Sequence, residues 1–438
     1  MNWMQHRAGS VGLALALTLI VSAAARGADD PRITSWYTLD SSRLARLYRT
    51  PAKQAANQPE TTWSNGRNTQ AFPVRCGVQQ ISSSSNWVYV SSTGLPGQIM
   101  GPWEGGRFPN LPVDQHFIFA IPLHPVKQSG DAWNRLFEIG MFVDGVRMFD
   151  ACDAFSYSHA RGQDANPRAG IGQGDGIWRR DALVNEGQTF DAALAHQQNW
   201  GTYHYHVQPI ALRYRLGDHV DFDPATQTYH ESAGQPRHHS PILGWLQDGY
   251  PIYGPYGYAN PTNPASGLRR MDSGFVPRDG RRVPDNLAAT GRRQLPAWEA
   301  REEHRSAVLT DAETGPEVSD AYPVGHYLED YAYLGDFGKT QGRDFDLDEL
   351  NGRWCVTPEF PAGTYAYFTA IDARGNPVYP YNMGRRYYGK PVGCLMRGIF
   401  EPVTTNFVAA AEADTAATPK DAPRGSKLIW RDGGYQTR

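Results

Sequence analysis

From Val74 onward the chain is a succession of short β-prone runs cut by turn residues, and this punctuation constrains the fold more than any other feature. Trp87 to Ser91 is one such run, and Phe117 to Ile121, ended by Pro122, is another. The stretch Phe137 to Phe149 holds Asp144-Gly145 between two apolar halves, the pairing favoured in a two-residue hairpin whose central positions need positive φ. Further strands are expected at Thr202 to Pro209, His219 to Phe222 and Thr364 to Ala370. With 45 glycines and 32 prolines among 438 residues, long helices have little room. The expectation is a mainly β chain, either β-sandwich-like or two packed sheets, with long loops.

The remaining segments frame that β-rich body. Val11 to Val21 is apolar apart from Gly12 and Thr18, follows a basic start, and leads into Ala23-Ala24-Ala25. This is the pattern of a secretory signal peptide over residues 1–25, and the run is shorter than the ~20 residues a membrane span needs. Cleavage is expected after Ala25, or alternatively after Ala28, leaving a secreted or periplasmic protein without membrane insertion. Residues 30–115 read as an N-terminal β-rich segment with a short helix at Ser41 to Tyr48, and residues 116–405 as the main domain. Within the latter, residues 260–322 are rich in Arg, Asp, Glu and Pro, with a helix expected around Pro296 to Val308. They read as a charged surface insertion whose Arg269-Arg270, Arg281-Arg282 and Arg292-Arg293 pairs are solvated. The Ala/Thr/Asp-rich end suggests a flexible tail over 406–438.

A formal net charge of −3 argues against nucleic acid as a partner. Four cysteines (Cys76, Cys152, Cys355, Cys394) in an exported chain suggest two disulfides. Three connectivities are open, and Cys76–Cys152 with Cys355–Cys394 closes the shorter loops.

The chemistry centres on Gly201-Thr202-Tyr203-His204-Tyr205-His206. Alternate residues of a strand share a face, so His204 and His206 project together, about 6–7 Å apart at Cα, while Tyr203 and Tyr205 face the other way. Two imidazoles so placed can converge on copper or zinc. Gly363-Thr364-Tyr365-Ala366-Tyr367-Phe368 echoes the run with Ala366 and Phe368 in the histidine positions, so strand formation alone does not require the histidines. Of the other histidines, His239 and His326 are the expected completing ligands. Asp248, Asp330 and His196 are expected as supporting residues that orient an imidazole, and Asp248 is also a candidate general base. No Gly-x-Ser-x-Gly, P-loop or His-Glu-x-x-His motif occurs, and the acids at 344–349 lack EF-hand spacing. The many tyrosines near Gly/Pro turns offer a competing reading, a non-catalytic groove that stacks on a carbohydrate or another surface polymer.

Four ordered stretches carry a resemblance. Trp200 to His206 followed by His239 to Pro255 (HSPILGWLQDGYPIYGP), then Gly325 to Tyr331 (GHYLEDY), then Leu347 to Phe368, together resemble the YHYH domain family of secreted bacterial proteins. The resemblance covers residues from about 115 to 400 and implies export and a shared site. It does not imply a reaction, because the family is defined by its motif. Where relatives often carry a Cys-Gly-Gly-His-like stretch, this chain has Ala193-Leu194-Ala195-His196, which keeps the histidine and loses the cysteine. Pro361 to Phe368, and the related run ending in His204 and His206, also look locally like the His-x-His strand of cupredoxin-type copper proteins. No histidine adjoins Cys355 or Cys394, so a blue-copper site is not expected.

Mass spectrometry of the exported protein is expected to find a mature chain beginning at Arg26, or at Asp29 if cleavage follows Ala28. An N-terminus still at Met1 in the exported protein would refute the leader assignment.

Overall fold

A computed structural model describes residues 30–103, 110–130, 138–166, 173–410, 428–431 and 434–437. The expected leader and residues 411–427 of the expected tail lie outside the described residues. The fold is mainly β, built from several sheets and a few short helices. No described helix is long and apolar enough to cross a membrane.

Two large sheets carry the architecture. The first is antiparallel throughout, in the order Cys394–Met396, Phe117–Pro122, Trp87–Ser92, Val78–Ser83, Thr404–Val408. It joins residues 78–92 to the main domain, so the sequence boundary near 115 marks no break between sheets. It also takes residues 406–408, expected in the tail, as part of an edge strand.

The second, central sheet has eight strands: β1 (Glu138–Phe142), β2 (Arg147–Phe149), β3 (His196–Gln197), β4 (Tyr203–Tyr205), β5 (Ile242–Leu246), β6 (Pro251–Tyr253), β7 (Gly352–Cys355) and β8 (Thr364–Phe368). Their spatial order is β3-β4-β2-β1-β5-β6-β8-β7. One apolar cluster joins the sheets, taking Val88, Val90, Phe119 and Ile121 from the first and Ile139, Met141, Tyr205, Trp245, Ile252 and Tyr367 from the second. Removing each such side chain from water contributes about 1.5–3 kcal/mol, so the shared cluster is what fixes the two sheets against each other.

The central sheet reads nearly the same from either edge. β1 and β2 form a hairpin around Asp144-Gly145, and β5 and β6 form one around Asp248-Gly249. β4 lies parallel to β2 with Tyr205 opposite Met148; β8 lies parallel to β6 with Tyr367 opposite Ile252. Both partner residues stand four positions after the aspartate of their turn, so the registers match. The Gly-Thr-Tyr echo thus occupies equivalent strands of one sheet, each second from an edge. Gly145 shows why its turn needs glycine. Its φ is +84°, and a Cβ there would come 2.3 Å from Ser92 Oγ on the neighbouring sheet.

Several expectations are corrected. Residues 41–48 are not helical: Leu44 bridges Arg75 and Leu47 bridges Glu60, while Pro31–Thr34 and Pro51–Ala55 form the short helices, each with proline in its first turn. The helix expected around Pro296 to Val308 spans only Ala297–Glu302, because Gln294 and Val308 bridge each other across it, and a second short helix, Leu287–Thr290, precedes it. Nor is the insertion wholly superficial. Trp298 and Leu287 are buried, and buried Arg292 donates to both carboxylate oxygens of Asp330 and to the carbonyls of Pro316, Tyr322 and Pro323. That set of acceptors replaces the solvent expected around Arg292.

The two expected disulfides are absent: Cys76, Cys152, Cys355 and Cys394 are all free thiols. They stand on separate elements with different neighbours. Cys152 begins a strand paired to Asp181, Cys355 ends β7 opposite Thr364, and Cys394 sits opposite Ala120 in the other sheet. Burial raises the thiol pKa of Cys152 well above its ordinary value and that of Cys76 to about 12. A thiol-reactive chromogen is therefore expected to label one cysteine, exposed Cys394, in the native protein and four after denaturation. Two or fewer labelled thiols in the denatured, unreduced protein would restore the disulfide reading.

Candidate metal centre

The period of β4 separates two tasks. Tyr203 and Tyr205 point into the core, where the Tyr203 hydroxyl donates to Asp191 Oδ2 at 2.8 Å and the Tyr205 hydroxyl accepts from Gln98 Nε2 at 2.7 Å. His204, and His206 just past the strand, point to the opposite face. β3 pairs antiparallel with β4 so that His196 lies directly opposite His204, which puts a third imidazole on that face.

The loop before His196 is tied down by Asp191. Its Oδ1 accepts from the backbone N–H of Ala193 (3.0 Å) and Ala195 (3.3 Å), and its Oδ2 from Gly101 N–H (2.9 Å) and the Tyr203 hydroxyl. Burial nonetheless pushes the Asp191 pKa up to about 6, against the pull of those donors. Leu194 adopts a φ of +69°, a conformation the bonded loop imposes on a residue that rarely takes it.

The three imidazoles meet through Nε2. His196 Nε2 and His204 Nε2 are 3.1 Å apart, as are His204 Nε2 and His206 Nε2, and all three nitrogens lie within 4.8 Å of one another. The remaining ring nitrogens assign the protons. His204 Nδ1 is 2.9 Å from the Thr202 carbonyl and His206 Nδ1 is 2.6 Å from the Asp150 carbonyl; a carbonyl only accepts, so both Nδ1 atoms carry hydrogen. His196 Nδ1 is 2.8 Å from Thr189 Oγ1, whose own hydrogen is already donated to the Glu186 carbonyl at 2.6 Å. This nitrogen too must be the donor. In their neutral forms all three rings therefore turn an unprotonated Nε2 toward a common point, an arrangement that a bound cation would stabilise.

The surroundings keep the rings neutral. His196, His204 and His206 are all buried. Burial, reinforced by neighbouring imidazoles, holds the pKa values of His196 and His204 well below the ordinary histidine range; burial lowers that of His206 to about 4. Phe149 stacks on His204 with ring centroids 3.9 Å apart, and the Phe190 ring lies parallel to that of His206 at 6.2 Å. At the open side stands Glu186, at the end of the short helix Ala182–Glu186, with Oε2 3.6 Å from both His196 Nε2 and His206 Nε2.

The structure brings His204 and His206 together and adds His196, expected only as support, as an equal member. It does not bring in His239 or His326. The His239 ring packs edge-on against Tyr253 at 5.0 Å and lies 4.9 Å from the Tyr258 ring, and its Nδ1–H donates to the Ser240 carbonyl. His326 Nε2–H donates to Asp164 Oδ2 at 2.7 Å. Its backbone carbonyl accepts from Asp181 N–H and Asn185 Nδ2, so it braces the helix that carries Glu186. Asp330 is held by Arg292, and Asp248 sits in the β5–β6 turn accepting from the Tyr367 hydroxyl and Gly389 N–H. Neither orients an imidazole of the cluster. Sequence reasoning missed Glu186 and Thr189, which lie in a helix and turn with no motif of their own.

The equivalent face at the far side of the sheet is built differently. Arg353 stands opposite Ala366 where His196 stands opposite His204, and Phe368 replaces His206. Tyr253 stacks on Phe368 at 5.8 Å, and the Arg353 guanidinium lies 5.4 Å from the same ring. The sheet supports one nitrogen-rich face and one aromatic face on the same backbone plan.

The model of the YHYH protein family matches residues 118–378, more than half of the chain and including all three clustered histidines. No curated protein and no solved structure matches the chain.

Replacing Asp191 with alanine removes the acceptor of three buried backbone N–H groups and one hydroxyl. It is expected to cost about 3 kcal/mol or more in urea unfolding, since each stranded buried donor costs about 1–3 kcal/mol. A loss below about 1 kcal/mol would show that the loop does not depend on this carboxylate.

Proposed function

We propose that this chain, which belongs to the YHYH protein family, holds a transition-metal ion, copper or zinc, on His196, His204 and His206. One observation carries the reading: each Nδ1–H is spent on a fixed acceptor, so three unprotonated Nε2 atoms face one another, that of His204 lying 3.1 Å from each of the other two. This arrangement is costly for a merely structural cluster and suits a metal, because the outer hydrogen bonds fix both the tautomer and the orientation of each ligand. Imidazole nitrogen is a favoured donor for both copper and zinc. A bound ion there would supply Lewis acidity for a coordinated water or, as copper, a one-electron couple.

The chain's own residues set the rest. Thr189, the Thr202 carbonyl and the Asp150 carbonyl hold the rings, Phe149 and Phe190 wall the site, and Glu186 stands at its more exposed side. A blue-copper centre is disfavoured because no free cysteine joins the cluster. The polymer-groove alternative is weakened by the tyrosines it needs: Tyr250, Tyr253, Tyr256, Tyr379, Tyr381 and Tyr387 are buried. With the leader expected from the sequence, the ion would be taken up outside the cytoplasm.

Elemental analysis of the purified protein, before and after incubation with copper or zinc, tests the reading. Near-stoichiometric metal is expected in the parent, removable by chelation and lost in a folded His204→Ala/His206→Ala variant. A parent that stays metal-free when offered both ions would overturn it.

A further inference from the structure

Building on the tri-histidine reading, we propose that Glu186 is the fourth ligand of the same centre, closing it from the solvent side with a carboxylate oxygen. Glu186 Oε2 is equidistant, at 3.6 Å, from His196 Nε2 and His206 Nε2, while His204 Nε2 is 3.1 Å from each of those nitrogens. The four atoms thus form a ring with edges of 3.1, 3.1, 3.6 and 3.6 Å. In a four-coordinate site with bonds of about 2.0–2.2 Å, adjacent donor atoms lie about 2.8–3.6 Å apart, from the square-planar to the tetrahedral limit. The Glu186 oxygen falls within that range without any rearrangement of the helix that carries it.

Three further features assign it to the ion. First, the Glu186 side chain is only 28% exposed and its Oε2 faces two imidazole nitrogens at 3.6 Å each. A cation among the four atoms would make every one of these contacts attractive. Second, three neutral imidazoles alone would leave both charges of a divalent ion uncompensated in a site whose histidine side chains are about 4% exposed. One carboxylate halves that buried charge. Third, the segment binds the site twice. The Glu186 carbonyl accepts from Thr189 Oγ1, and Thr189 in turn accepts from His196 Nδ1–H, so the proposed oxygen ligand and one nitrogen ligand share a hydrogen-bonded turn. Glu186 would then be the ligand nearest solvent, and the one an incoming molecule displaces first.

The test uses the full chain with copper(II) and cobalt(II) as probes, comparing the parent with Glu186→Gln and Glu186→Ala by competition titration, copper EPR and the visible bands of bound cobalt. Val184→Ala, an exposed position on the same helix, controls for general effects of substitution there. Removing the carboxylate is expected to weaken binding at least about tenfold and to change both spectra, with Glu186→Asp intermediate and the control unchanged. Parent-like affinity and superimposable spectra in Glu186→Gln and Glu186→Ala would overturn this assignment and leave the histidine centre standing. A parent that takes up neither ion would remove both together.

Discussion

Three imidazole nitrogens that turn their lone pairs toward one another resist being held together, His204 Nε2 only 3.1 Å from each of the other two, and the local structure is organised around doing so. Each ring could relieve the repulsion by flipping or by taking a proton at Nε2. The flips are opposed by acceptors from three different places: the Thr202 carbonyl just before β4 for His204, the Asp150 carbonyl just after β2 for His206, and the Thr189 hydroxyl beside the short helix for His196. Protonation is opposed by burial. The site thus depends on long-range assembly of strand, hairpin and helix, and no isolated piece of the chain could maintain it.

The near-symmetry of the central sheet separates what the scaffold needs from what the site needs. Tyr205 and Tyr367 sit at matching registers, and Tyr203 and Tyr365 each donate from the hydroxyl to a carboxylate, Asp191 and Asp348 respectively. These core-facing tyrosines recur because they close each strand against the interior. On the opposite face the two halves diverge, with His196, His204 and His206 in one and Arg353, Ala366 and Phe368 in the other. The backbone tolerates either set, so the histidine set is a property of the site and not a requirement of the sheet.

Much of this was legible in the residues. The Asp-Gly turns, the short strands and the shared face of His204 and His206 follow from local rules of turn chemistry and strand period. The family resemblance drawn from the ordered motifs matches the chain's membership. His239 and His326 were expected beside the cluster because they open conspicuous segments, but prominence in sequence carries no distance. His239 packs among aromatic rings on the far side of the sheet, and His326 is taken by Asp164. The cysteine expectation failed similarly, since an even count in an exported chain says nothing about whether any two sulfurs meet.

The sequence by itself determined that the chain is mainly β, where its hairpins turn, and that two histidines share a face, because these depend on φ preferences and a two-residue period that act over a few neighbours. Only the tertiary structure decided that His196 completes the cluster, that Glu186 and Thr189 stand over it, and which ring nitrogens are bare. Those facts depend on the β3–β4 register and on a helix delivered by another part of the chain. They are set by packing between distant segments, which no local pattern of residues encodes.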